Sequence, residues 1–172
     1  VTNIDYGAFN NCTGLTSINV DDKNTVYDSR NDCNAIIEKS TNILIAGCKN
    51  TTIPDSVAGI GDYAFCGCTD LTIITIPDSV ISIGKMAFNG CTGLTCITIP
   101  SSVTSISGAV FSGCTGLTSI NVNDKNTAYD SRNNCNAIIE KSTNTLIVGC
   151  KNTIIPDSVT GIGNAAFYGC TD

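Results

Sequence analysis

Apolar positions recur along this chain at a fixed distance, and that distance predicts the fold class. Three consecutive segments of 23 residues, 52–74, 75–97 and 98–120, align without gaps, and partial copies lie at 1–18 and 154–172. All five Phe fall at one position of the repeat and all four Pro at another. Because a period of roughly 20 to 50 residues is typical of stacked-repeat proteins, the pattern predicts a repeat array.

Within one unit, the pattern predicts a short strand, a corner and a brief turn. Leu94, Ile97 and Ile99 alternate as in a strand with one buried face, and Pro100 ends the strand because it lacks a backbone donor. The run 87–91, Ala-Phe-Asn-Gly-Cys, predicts a single helical or 3₁₀ turn. Since one unit cannot enclose a core, we expect a mainly β, right-handed solenoid whose parallel strands lie ~4.8 Å apart.

Stacking of equivalent positions predicts three internal columns of side chains. One column is aromatic, one is formed by cysteines that act as small apolar residues, and one is aliphatic. The expected columns are Phe65, Phe88 and Phe111; Cys68, Cys91 and Cys114; and Ile74, Ile97 and Ile120.

A longer period is superimposed on the 23-residue repeat. Residues 1–70 and 103–172 are identical at 53 of 70 positions, and each of these long units contains a 33-residue variant segment, 19–51 or 121–153. Each variant segment is expected to open with another strand of the main sheet, 17–20 in the first copy. Segments 34–38 and 43–47, separated by a polar turn, then predict a β-hairpin that projects from, or lies along, the side opposite the main sheet. We expect one domain over 1–172, in which five regular turns (1–18, 52–74, 75–97, 98–120 and 154–172) are interrupted by these two segments.

These residues carry a resemblance to a known family. The pattern I-P-x-S-V-x-x-I-x-x-x-A-F-x-G-C-x-x-L-x-x-I, present for example from Ile76 to Ile97, resembles the BspA-type leucine-rich repeat. The resemblance covers nearly the whole chain, including hairpin-bearing variant turns. It implies a secreted or cell-surface protein of host-associated bacteria or mucosal protozoa that acts in adhesion. Because capping sequences are absent, we expect the chain to be part of a longer array, anchored through other parts of the protein.

Composition and charge narrow the class of partner. Of the 172 residues, 42% are hydrophobic and 14% are charged, which is unlike a disordered chain. The net charge of −6 disfavours nucleic acid and anionic lipid, and the lack of an 18-residue apolar run predicts no membrane insertion. A protein partner, such as a host matrix protein or another surface protein, is the expectation, while the oligomeric state stays open.

The residue types available argue against catalysis and against a bound metal or cofactor. The chain has no His, so the commonest general base and the commonest zinc ligand are both missing. Cys66 and Cys68 lack the spacing of a zinc pair, and Cys96 has no histidine base to activate it. We therefore expect a non-enzymatic protein without cofactors.

Eleven cysteines require an explanation in this context. Five share one repeat position and are expected to be free thiols: Cys12, Cys68, Cys91, Cys114 and Cys170. Two further pairs, Cys33 with Cys48 and Cys135 with Cys150, bracket the two hairpins. Each pair either forms a disulfide, which would add about 3 kcal/mol of stability, or remains as buried thiols.

Two surfaces are candidates for binding. The sheet face comprises the uncharged residues that point outward between buried strand positions: Thr16, Ser17, Asn19, Thr72, Thr75, Thr95, Thr98, Thr118, Ser119 and Asn121. The hairpin surface comprises Tyr27, Arg30, Tyr129 and Arg132. Solenoids commonly bind partners through such surfaces. The alternatives are a structural spacer within a larger surface protein, because Thr is also a good exposed strand former, and an ice- or crystal-binding threonine face.

Overall fold

The computed structural model describes residues 1–170, and its regular structure is almost entirely β. Thr171 and Asp172, the last residues of the predicted turn 154–172, lie outside the described residues. The strands of residues 1–170 are β1 (Tyr27–Asp28), β2 (Ala35–Glu38), β3 (Ile43–Gly47), β4 (Gly59–Ile60), β5 (Ser82–Ile83), β6 (Cys96–Ile99), β7 (Ser105–Ile106), β8 (Ser119–Val122), β9 (Tyr129–Asp130), β10 (Ala137–Glu140), β11 (Thr145–Gly149) and β12 (Gly161–Ile162). Two short 3₁₀ helices, Arg30–Asp32 and Arg132–Asn134, precede the hairpins.

The strands pair in a register that follows the repeat. One sheet has the order β1-β2-β3-β4-β5-β7, a second has the order β12-β11-β10-β9, and β6 pairs with β8 alone. In the parallel pairs of the regular units, partners lie 23 positions apart, as for Gly59, Ser82 and Ser105 in adjacent strands. Equal unit length therefore places equivalent residues side by side.

The main sheet predicted from segment 94–99 and its equivalents in the other units is smaller than expected. Only β6 and β8 are strands there, whereas segments 15–20 and 71–76, including the predicted strand at 17–20, are irregular. The hairpin-bearing segment lies beside the first of these segments. The Asn50 side-chain amide donates to the Thr16 carbonyl at 3.0 Å, and the Thr52 N–H donates to the Cys33 carbonyl at 3.1 Å. The second copy makes the same two contacts beside β8, from Asn152 to the Thr118 carbonyl and from the Ile154 N–H to the Cys135 carbonyl, so the asparagine contact joins the hairpin segment to the preceding unit in both copies.

The core consists of the predicted columns. Phe65, Phe88 and Phe111 stack in nearly parallel planes, with ring centroids 5.0 and 5.3 Å apart. Ile74, Ile97 and Ile120 are buried, as are the Cys91 and Cys114 side chains, while Cys68 is half-buried. The three predicted columns are confirmed. Neighbouring rings in offset or parallel contact stabilise a core by about 0.5–1.5 kcal/mol beyond the area that they bury.

The predicted helical turn at 87–91 is wrong. The chain instead makes successive tight turns, in which the N–H groups of Asn89 and Cys91 donate to carbonyls three residues earlier. Met86 and Gly90 have positive φ values of 53° and 71°, and both positions recur in the other units. Because left-handed residues interrupt a right-handed helix, the segment closes as a corner. In the first unit Asn11 takes the place of the glycine, with φ 58°.

The predicted hairpin is confirmed and lies along the array as part of a sheet. β2 and β3 are antiparallel, with Ala35 opposite Gly47 and Glu38 opposite Ile43. β1 pairs with the outer edge of β2, and β3 continues the sheet in parallel to β4. The second copy repeats this arrangement from β9 to β12. Each hairpin is thus a layer of the stack and not a projection.

Gly47 allows the hairpin to close against the aromatic column, and this yields a testable prediction. A side chain at Gly47 would overlap the Phe65 ring, which is buried and held between neighbours. We expect Gly47→Ala to lower the free energy of unfolding by about 1–3 kcal/mol, measured by urea denaturation. Gly14→Ala is the matched control, because nothing lies within 4 Å of a side chain at that position. Equal effects of the two substitutions would contradict the close contact.

Candidate binding surfaces

The sheet face brings some of its predicted residues into a row. Thr95 and Thr118 each donate their hydroxyl hydrogen to the backbone carbonyl of the preceding unit, Thr95 to Thr72 at 3.4 Å and Thr118 to Thr95 at 3.2 Å. Beside this row, Thr98 pairs with Asn121 across β6 and β8. Because the hydroxyl hydrogens are engaged, the threonine oxygens are presented to solvent as acceptors.

Not all ten sheet-face residues belong to this row. Thr16, Ser17 and Asn19 are exposed, but segment 49–53 lies beside them and separates them from Thr72. Thr118 and Ser119 are half-buried, and Asn152 donates to the Thr118 carbonyl at 3.2 Å. The part of this row that a partner can reach is therefore centred on segments 71–76 and 94–99.

An open groove of about 960 Å³ crosses this part of the sheet face. Ile73, Thr75, Cys96 and Thr98 line it, together with Asp55 and other residues at its borders. Ile73 is 66% exposed, although an apolar side chain such as isoleucine gains free energy when it is removed from water. The predicted sheet face did not include Ile73. The signal was present, because Ser or Cys occupies this position in the other regular units.

The tyrosines of the hairpin surface are core residues, so that part of the prediction is wrong. Tyr27 and Tyr129 are only 6% and 5% exposed. The Tyr129 hydroxyl accepts the N–H of Ile106 at 2.9 Å, which joins the second hairpin to the preceding unit. Burial raises the pKa of this hydroxyl. Both side chains are turned inward, and the hydrogen bond of the Tyr129 hydroxyl satisfies its polar end within the core.

Arg30 and Arg132 lie at the surface but are engaged within the protein. Arg132 donates to both carboxylate oxygens of Asp130, at 2.8 and 2.7 Å, and to the Asn144 side chain at 2.9 Å. Arg30 makes the corresponding bonds to Asp28 and Asn42, both at 2.8 Å. Burial alone would raise the pKa of Asp130, but the Arg132 hydrogen bonds and charge outweigh burial and lower it. These arginines brace the hairpin turns.

All eleven cysteines, which lie within residues 1–170, are free thiols in the structure. Of the two alternatives given for the hairpin pairs, the structure therefore has the buried thiols. Cys33 and Cys48 direct their sulfur atoms to the backbone carbonyls of Ala35 and Asn34, at 3.7 and 3.5 Å.

The cysteine column, formed by Cys68, Cys91 and Cys114, is also unsuited to reaction. The Cys91 and Cys114 thiols each donate at 3.1 Å to a carbonyl in the preceding unit. Burial is the main cause that raises the pKa of Cys68 and of Cys114 to about 12. Since the thiolate is the nucleophile and the metal ligand, these side chains act as apolar filling.

Residues 1–170 contain no group of three or more Cys, Asp or Glu side chains placed to hold a metal ion. None of the helical segments in this range has the length and apolar character needed to cross a bilayer.

The family follows from the sequence of these units. The profile of the BspA type Leucine rich repeat region matches residues 1–38 and 35–172, in six copies. The chain belongs to the BspA-type leucine-rich-repeat family. Its proteins are generally interaction scaffolds, and they are usually associated with the cell surface. No curated protein matches this BspA-type chain.

Solved structures of bacterial leucine-rich-repeat proteins resemble this BspA-type chain. A leucine rich cell surface protein from Faecalibacterium prausnitzii is 32% identical, with a TM-score of 0.56, over 67% of this chain and 38% of its own. A leucine-rich repeat protein from Eubacterium ventriosum is 31% identical, with a TM-score of 0.58, over 71% of this chain and 32% of its own. One from Bacteroides ovatus is 25% identical, with a TM-score of 0.52, over 98% of this chain and 50% of its own. The chain thus spans half or less of the length of these proteins.

The Asp130–Arg132 pair predicts how stability depends on pH. Because the folded-state pKa of Asp130 is lowered, its contribution is present above the unfolded pKa of about 3.9 and is lost as the pH falls through the folded value. We expect Asp130→Asn to lower the free energy of unfolding at pH 7 by up to about 1 kcal/mol, with the difference shrinking below about pH 4. Urea titrations at pH 7 and pH 3 measure this. Asp124→Asn, at an exposed residue without an ion pair, should change little at either pH.

The free thiols predict how many cysteines react with a disulfide reagent in the native and in the unfolded chain. Cys12, Cys96 and Cys170 are exposed, and we expect these three to react fastest with a disulfide reagent in the native protein. All eleven should react after unfolding in urea without reductant, and Cys96→Ser should remove one fast thiol. A total below eleven in urea would show that a hairpin pair is oxidised.

Proposed function

We propose that this chain is a non-enzymatic binding scaffold of an exported surface protein, and that it holds a protein partner on its sheet face. The chain would form a right-handed solenoid of 23-residue turns, a single domain over 1–172, which is supported by the parallel pairing of residues 23 positions apart. A surface location is supported by the Faecalibacterium prausnitzii relative, which is described as a cell surface protein.

The groove on the sheet face is the observation that carries this proposal. It combines an exposed aliphatic side chain, Ile73, with the hydroxyls of Thr75 and Thr98. Protein interfaces join an apolar centre to a polar border in the same way. None of the residues that line the groove is aromatic, which disfavours stacking of a sugar ring, and Asp55 and Asp78 disfavour a nucleic acid.

Substitutions within the groove test the proposed function. The doubly substituted chain Ile73→Asp, Thr98→Glu places two charges in the groove, where a docking partner would have to desolvate them. We expect the Kd for a protein ligand, selected from a panel of matrix proteins and mucins by surface plasmon resonance, to rise at least about tenfold.

The control is Thr104→Glu, Thr127→Glu, which adds the same charge at exposed residues outside the groove. Binding that is weakened equally by both pairs would place the site elsewhere. If the wild-type chain binds no member of the panel, the result would favour the structural spacer.

A further inference from the structure

A second concave site lies beside the first hairpin, away from the sheet face. This hairpin cleft has a volume of about 510 Å³. The first tight turn, including Asp5 and Tyr6, forms one wall, Ile43 and Ile45 of β3 are apolar lining, and the backbone around Asp62 forms the opposite side. Its volume is within the range of about 300–1,000 Å³ that is usual for ligand sites.

The inserted hairpin opens this cleft. Between regular units, three N–H groups of one tight turn donate to the next turn, as from Tyr63, Phe65 and Gly67 at 3.0, 2.7 and 2.7 Å. At the first hairpin only the last of these bonds has a counterpart, from Asn11 to Cys66 at 3.0 Å. The Ala64 carbonyl instead accepts the N–H of Gly47, the end of β3, at 2.8 Å. The two tight turns therefore touch at one end and are held apart at the other.

All the charged side chains that line the cleft are negative. Asp5, Glu38 and Asp62 line it, and no Lys or Arg does so. One oxygen of each carboxylate is engaged, Asp62 by the Lys85 N–H at 2.7 Å, Glu38 by Thr41 and Asp5 by Asn3. The other oxygen of each makes no hydrogen bond or ion pair among the described residues. Three carboxylates beside an apolar surface complement a side chain with an aliphatic stem and a cationic head.

An internal comparison distinguishes the lining of this cleft from the rest of the long unit. The long units 1–70 and 103–172 differ at 17 positions, the remainder of 70 after 53 identities. Nine of these lie in the lining of the cleft: positions 3, 5–8, 43, 46, 62 and 63. The lining contains only 16 of the 70 residues compared. Exposure does not explain the difference, because the exposed hairpin residues Lys39, Ser40 and Thr41 are identical in the second unit.

The differences between the two long units also change the chemistry of the cleft. Asp5, Tyr6, Ile43 and Asp62 are replaced in the second unit by Ser107, Gly108, Thr145 and Asn164. Two carboxylates and two large side chains are lost together, whereas the hairpin and its arginine brace are retained. The backbone plan is common to both units, but only the first carries the acidic and apolar lining.

We propose that the hairpin cleft binds a basic, extended peptide segment of a protein partner. Lys or Arg stems of the peptide lie on Ile43 and Ile45, and their cationic heads bind Asp5, Glu38 and Asp62. The second unit, without two of these carboxylates, does not bind it. This site goes beyond the proposed function because it is separate from the sheet face, so either site can fail its test without the other.

The test is a titration followed by NMR. The probe is a blocked Lys-Val-Lys-Val-Lys peptide, titrated into the ¹⁵N-labelled 172-residue chain, with Glu-Val-Glu-Val-Glu as the reversed probe. We expect the basic probe alone to shift the amide resonances of Gly7, Gly61 and Gly84 in the cleft, and to leave those of Gly161 and Gly163 in the second unit unchanged. Equal shifts with both probes, or no shifts in the cleft, would overturn the proposal.

A charge-matched pair of variants separates the cleft from general attraction to an acidic protein. Asp5→Ser, Asp62→Asn introduces the second unit's own residues, which that unit already accommodates, and is expected to weaken binding about tenfold. Asp22→Ser, Asp157→Asn makes the same change in net charge at exposed positions and should retain the affinity within about twofold. Equal weakening in both variants, or retained affinity in the first, would overturn the proposal.

Discussion

The structure depends on the burial of each unit's apolar residues by the next unit. A 23-residue unit has too little chain to enclose Phe88, whose ring is covered on both sides by the rings of Phe65 and Phe111. The same dependence extends to the thiols, since the Cys91 and Cys114 hydrogen bonds cross from one unit to the preceding one. Burial therefore requires equal unit length, and a slip of one residue would turn Ile97 outward and Thr98 inward.

The variant segments show how this constraint accommodates an insertion. The first hairpin adds extra strands between equivalent positions, yet β3 joins β4 in the parallel register that the regular units use. Gly47 leaves room for the Phe65 ring at the junction, and the Arg30 brace fixes the turn between β2 and β3. The inserted strands also separate neighbouring tight turns. The hairpin cleft is thus a geometric consequence of inserting layers on one side of the stack.

Features that repeat with the sequence period could be predicted. Features that depend on the local backbone conformation, or on contacts between residues distant in sequence, could not. The Phe, Ile and Cys columns follow from spacing alone, and the hairpin follows from two apolar runs around a polar turn. The tight turn was missed because Met86 and Ala109 adopt positive φ without being Gly or Asn. Tyr27 was assigned to the surface because its segment is polar, although its side chain is turned inward. The walls of the cleft are more than 50 residues apart in sequence, from Asp5 to Asp62, so no local pattern reveals it.

The unbridged thiols have a consequence for where the chain can fold. Proteins that rely on disulfides reach their native state only where an oxidant and thiol exchange are available. Here the sulfur atoms of Cys33 and Cys48 are accommodated by backbone carbonyls, and the cysteine column by hydrogen bonds between units. The described packing thus requires no disulfide. Its formation therefore does not depend on an oxidant, and the chain can reach this packing in reducing surroundings.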